Sequence, residues 1–203
     1  MDGTEFILFI KAKLNRLDTA SYEDVRPEEV LFFANEALKT LTLEFDMGRY
    51  SPLIDLDSIK SYLSVMNISV PSVDITDNEF DIPTMLKLKD LEGYVEVGNE
   101  TGWQPAVTHD NKEKSHKEDN PFGKSYPDRP HYRYADTKIR FDVSENFNVT
   151  KIRYIYLRVP PEILEESELN YPFMSELENK TVTLLLENLE SRRLGTQPAV
   201  SKL

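Results

Sequence analysis

The sequence predicts an α+β protein: a helical bundle made from both ends of the chain, with an inserted small antiparallel β-sheet and one long extended loop. Three observations predict it. Apolar residues recur at helical spacing near the start of the chain and again near its end, whereas the stretch between them alternates apolar and polar residues in short runs. Within that middle region, His109–Pro130 has no periodicity at all and is rich in charge, Pro, Gly and Asn.

The elements follow in order. Phe6, Ile7, Ile10, Leu14 and Leu17 share one face of a first helix over Thr4–Leu17, and the polar run Asp18–Arg26 reads as the turn after it. Pro27–Phe45 is the best-formed helix. Val30, Ala34, Ala37, Leu41 and Phe45 fall at steps of three and four, and Leu31 and Leu38 widen the stripe. Pro27 suits the first helical turn, Glu28 and Glu29 complement the positive end of the helix dipole, and Gly48, Ser51 and Pro52 stop the helix. A third helix over Leu53–Val65 is supported by Ile59, Leu63 and the adjoining Met66.

From Asn67 onward the pattern is that of strands. Ile68–Val73 and Asn78–Ile82 read as edge strands because Pro71 and Pro83 accompany them. Gly93–Val97, Gln104–Thr108, a hairpin over His131–Val143 turning at Asp136-Thr137, and Val149–Val159 complete the sheet, the last as its central strand. The closing helix, Pro172–Arg193, carries Leu177, Leu184, Leu185 and Leu189, and Gly195 is expected to end it. The resulting organisation is residues 1–66 and 161–194 as the bundle, 67–160 as the β-rich insertion with its loop 109–130, and 195–203 as a tail.

Composition limits the chemistry. At 203 residues the chain is long enough to bury a sizeable core, and it contains no cysteine, so thiolate catalysis and Cys-ligated zinc are excluded. With 24 Lys plus Arg against 36 Asp plus Glu, the net charge is −12, which opposes non-specific binding to nucleic acid. No run approaches the roughly 18 apolar residues of a membrane span, and the acid at position 2 and the early Lys11 and Lys13 differ from a signal peptide, so no membrane and a cytosolic origin are expected.

Catalytic constellations are sparse. The sequence has no glycine-rich phosphate loop and no nucleophile elbow. His109 and His116, with Asp110, Glu118 and Asp119 nearby and His131 after the loop, are the metal candidates, but no helix sets their spacing and the expectation is no metal and no cofactor. The paired acids Glu28-Glu29, Asp55/Asp57 and Glu165-Glu166 fit helix-dipole and solubility roles better than acid–base work. Between Tyr126 and Tyr156, rings alternate with cations at Tyr132, Arg133, Tyr134, Arg140, Phe141, Arg153, Tyr154, Tyr156 and Arg158. Residues of this kind serve ordinary strands, subunit interfaces or a single-strand stacking platform.

Several short motifs resemble one family. The helix PEEVLFFANEALKTL with Asn35-Glu36-Ala37, the step Asp81-Ile82-Pro83, Asn120-Pro121-Phe122 in a polar loop, the strand end Tyr156-Leu157-Arg158-Val159-Pro160-Pro161, and Tyr171-Pro172-Phe173 opening a helix that ends LLENLESRR are similar to bacteriophage head-to-tail connectors, the adaptor or ring proteins beneath the portal of short-tailed and crAss-like phages. One departure is Met174-Ser175-Glu176-Leu177, where many members carry a His. The resemblance implies a structural virion protein and not an enzyme. It would form a ring of twelve copies at the head-to-tail interface, assembled in the host bacterial cytoplasm. Its partners would be its own copies, the portal, neighbouring ring or tail proteins, and packaged DNA that passes an acidic lumen without specific binding. Candidate interface residues are Asn120, Pro121, Phe122, Tyr126, Tyr132 and Tyr134 in the loop and hairpin, and Gly195, Pro198, Val200 and Leu203 in the tail, which would dock on the portal or the next subunit. The alternatives from other classes are a small hydrolase using carboxylates or a His-bound metal, and a non-viral scaffolding domain.

Overall fold

The computed structural model describes residues 1–17, 25–50, 54–108, 125–135, 137–143 and 147–196, with side chains to Ser191. It divides into two compact units, Met1–Ser64 with Pro160–Leu203, and Val65–Val159.

The first unit is helical: α1 (Gly3–Leu17), α2 (Pro27–Asp46), most of α3 (Leu56–Met66) and α4 (Met174–Thr196). Helix α2 is its centre, burying Val30, Ala34, Ala37, Leu38, Leu41, Thr42 and Phe45. The Glu29 carboxylate accepts the Arg26 N–H at 3.2 Å, and the helix stops where Arg49 N–H returns to Glu44 O at 2.8 Å around Gly48, whose φ of +73° suits glycine. Phe6, Ile10 and Leu14 of α1, Ile59 of α3, and Phe173, Leu177 and Leu185 complete a core built on this stripe. Phe45 meets Phe173 edge-on at 4.8 Å. Thr42, inside the stripe, satisfies its hydroxyl by donating to Leu38 O at 2.8 Å and lying 2.9 Å from Tyr62 Oη. Asp55 caps α3. Its carboxylate accepts the Ser58 N–H at 3.1 Å and the Ser58 hydroxyl at 2.8 Å, and these bonds hold its carboxyl below the usual range.

The second unit overturns the expectation of a bundle with a small inserted sheet. Among the described residues there are two four-stranded sheets. One runs β1 (Asn67–Asp74), β8 (Asn148–Arg158), β3 (Met85–Val97), β4 (Glu100–Pro105); the other runs β2 (Glu79–Asp81), β7 (Lys138–Asp142), β6 (His131–Ala135), β5 (Val107–Thr108). Two local features enlarge the sheet beyond the reading. Strand β3 extends over 13 residues, because Met85–Glu92, rich in Leu and Lys, pairs with β8 from Met85↔Arg158 onward. The turn Thr76–Glu79 reverses the chain with φ of 55° at Asp77 and 60° at Asn78, a left-handed pair that Asp and Asn tolerate. The run Gln104–Thr108 is also not one strand: it breaks at Ala106, whose N–H bonds Leu91 O at 2.8 Å, so β4 joins one sheet and β5 the other.

The core of this unit comprises Leu91, Val95, Tyr132, Ile139, Phe141, Phe147, Val149 and Ile152. Asn78 ties the sheets together, accepting Val149 N–H on its side chain at 3.0 Å and Phe141 N–H on its carbonyl at 2.9 Å. At the edge of the first sheet, Pro71 interrupts β1, and the ladder to β8 shifts register between Val70 and Val73.

Candidate functional site

Asn35 sits on α2 one turn after Leu31, beside the core stripe. Its side-chain amide donates to Leu31 O at 2.9 Å and to Ile163 O at 3.1 Å, and its carbonyl oxygen accepts Ile163 N–H at 2.7 Å. The amide therefore reads a peptide group as another peptide would, fixing the chain just after Pro160-Pro161 onto α2. Beyond the clamp, Ser167 closes a tight turn: its hydroxyl accepts Leu164 N–H at 2.8 Å and its N–H reaches Leu164 O at 3.1 Å. The chain start seals the other side, with Thr4 N–H on Glu165 O and Leu169 N–H on Met1 O. Glu165 and Glu166 are thus exposed acids on a rigid turn, and no partner faces them across a cleft among the described residues.

The alternating rings and cations of Tyr126–Tyr156 separate into three environments. Tyr132 is only 9% exposed and packs on Phe141, so it belongs to the core and not to a docking face; burial pushes its phenol up to about 12. Tyr126 and Tyr134 are 44% and 48% exposed. Most of the cations are matched locally: Arg133 with Asp142 at 3.6 Å, Lys138 and Arg140 with Glu79 at 3.7 and 3.5 Å, Lys151 with Asp74 at 3.8 Å, and Arg153 with Glu92, whereas the buried Nε of Arg158 has no hydrogen-bond partner among the described residues. Arg153 also lies 4.7 Å over the Trp103 ring. Arg133, Arg140 and Arg153, which already face carboxylates, offer little field to a phosphate chain.

Of the remaining candidates, Gly195 lies within α4, which continues to Thr196 instead of ending there. Asn120, Pro121, Phe122, Pro198, Val200 and Leu203 lie outside the described residues, as do His109 and His116 with Asp110, Glu118 and Asp119. His131 begins β6 and donates its backbone N–H to Ser125 Oγ at 2.9 Å. Among the described residues no group of three or more His, Asp or Glu is placed to hold a metal ion.

Sequence reasoning missed several exposed apolar side chains. The helical unit exposes Leu8, Phe9 and Leu17 on α1 and Phe32 on α2. The signal was present, since these large apolar residues fall off the core stripe of their helices, with the exception of Leu17, which the spacing alone assigns to that stripe. The carboxyl-terminal part of α1 and α4 also form a groove of about 390 Å3 lined by Lys13, Arg16, Leu17, Asn179, Val182 and Leu186. No protein-family model matches the sequence, and no curated protein matches it.

Proposed function

We propose that the protein is a structural component of a phage head-to-tail connector, assembling as a ring beneath the portal and passing DNA through an acidic channel. The observation that carries this reading is the Asn35 clamp. Two motifs of the resemblance, Asn35-Glu36-Ala37 and the strand end that closes in Pro160-Pro161, are about 125 residues apart in the chain, yet Asn35 holds the peptide of Ile163 two residues past the prolines. A motif pair with a shared structural task is better support than two short strings. The exposed apolar residues of α1 and α2 suit subunits that bury surface on assembly, and the net charge of −12 suits a wall along which DNA slides without adhering.

Electron microscopy and native mass measurement of the purified chain mixed with the portal of the same virion test the reading. The expected result is a closed ring of twelve copies seated on the portal. A chain that neither binds portal nor closes into a ring in its presence overturns it.

A further inference from the structure

Two surfaces of the helical unit differ sharply in charge and lie at opposite ends of α1. At its amino-terminal end is the turn 162–168, where Glu162, Glu165, Glu166 and Glu168 are exposed and none has an ion-pair partner among the described residues. Leu164 stands among them, 44% exposed. The Asn35 clamp, the Ser167 turn and the bonds to Met1 and Thr4 hold this turn in one shape, so it loses little conformational freedom on binding.

At the carboxyl-terminal end is the groove between α1 and α4. Val182 and Leu186 line it, Leu17 flanks it at 65% exposure, and its rim carries Arg16 and Lys13. Lys13 pairs with Glu178 at 2.7 Å, leaving Arg16 as a guanidinium with no partner among the described residues.

Thr4 and Leu17 are thirteen residues apart on one helix, or about 20 Å. That is well beyond the screening length of about 8 Å at physiological salt. The acidic turn and Arg16 of one copy therefore leave each other unneutralised. An apolar residue ringed by acids and an apolar groove with the uncompensated Arg16 guanidinium at its rim are complementary, and placed at opposite ends of one element they meet between copies in head-to-tail order. Such a heterologous contact generates a ring when its rotation closes.

We propose that the turn 162–168 of one copy docks in the α1–α4 groove of the next, Leu164 entering between Leu17, Val182 and Leu186 while Glu165 and Glu166 face Arg16. The proposal deepens the ring reading, on which it rests for the number of copies, and it names the surfaces that the ring buries.

A charge swap tests it. Arg16→Glu makes the groove acidic, and the pair Glu165→Lys with Glu166→Lys makes the turn basic; all three positions are at the surface, and circular dichroism melts verify that both variants stay folded. Self-association is followed by sedimentation of the concentrated full-length chain, and ring formation by microscopy on the portal. Each variant alone is expected to associate at least about tenfold more weakly than the parent, since like charges then face each other. Mixed in equal amounts the two are expected to recover assembly, because in an alternating array every groove meets a turn of opposite sign. Variants that assemble as well as the parent, or a mixture that fails to recover, overturn the proposal. Portal-bound rings indifferent to the swap would refute these surfaces while leaving the connector reading intact. Swap-sensitive self-association without portal binding would do the reverse, and a chain that associates under neither condition refutes both.

Discussion

At the scale of single residues, the amide of Asn35 does what neither Ala nor Asp can do. Asn35→Ala leaves the Ile163 peptide and its part-buried surroundings without a partner and is expected to cost about 1–3 kcal/mol. Asn35→Asp removes the donor to Leu31 O and Ile163 O and sets a carboxylate against both carbonyls, so at neutral pH its loss should be at least as large. Urea unfolding of the three proteins measures both effects. Tyr132 supplies a pH dependence. Its folded phenol titrates near 12 and its unfolded phenol near 10, so the stability that burial of the neutral ring provides is complete below pH 10 and is lost as pH rises towards 12. Alkaline unfolding followed by tyrosinate absorbance should begin in that window, and Tyr132→Phe should flatten it. The Asn was legible in the sequence as a motif but its task was not, since the partner lies 128 positions away. The burial of Tyr132 was illegible for a related reason: alternation places Tyr132 and Tyr134 on the same side of β6, but only the neighbouring Phe141 and the rest of the core decide which ring is covered.

Elements were legible where one face is apolar and the ends are punctuated. Pro27 and Gly48 bracket α2 as the spacing predicts, and the hairpin of β6 and β7 pairs Ala135 with Lys138 around the anticipated turn. They were obscure where composition favours a helix or where a strand changes sheets. Met85–Glu92 contains Leu, Lys and Met, which prefer helices, and becomes strand through pairing with β8, a tertiary effect that local propensity does not contain. The pairing of β3 with β8 also depends on a missing side chain. A Cβ at Gly93 would stand 2.9 Å from Val149 Cγ1 and 3.5 Å from Phe141 Cε1. Gly93→Ala is therefore expected to destabilise the protein by about 1–3 kcal/mol through overpacking. In thermal melts, the double variant Gly93→Ala with Val149→Ala should lose less than the sum of the single losses, because the second change vacates the space the first requires.

For the molecule as a whole, size, absence of cysteine and acidity were all available from composition, and the return of the chain end to the first helices followed from the two outer apolar stripes. The extent of the β structure was not, because its two sheets share a core through contacts such as Asn78 with Val149 and Phe141, far apart in sequence. The surfaces proposed for assembly were hidden for the same reason: Glu162–Glu168 and Arg16 read as ordinary solvated charges until the fold sets them at the two ends of one helix. Pro71 bears on assembly in a different way. A free sheet edge invites any extended chain to add to it, a hazard that grows with protein concentration. Pro71 has no N–H to offer and the ladder to β8 shifts register beside it, so this edge is a poor template for backbone addition by another extended chain.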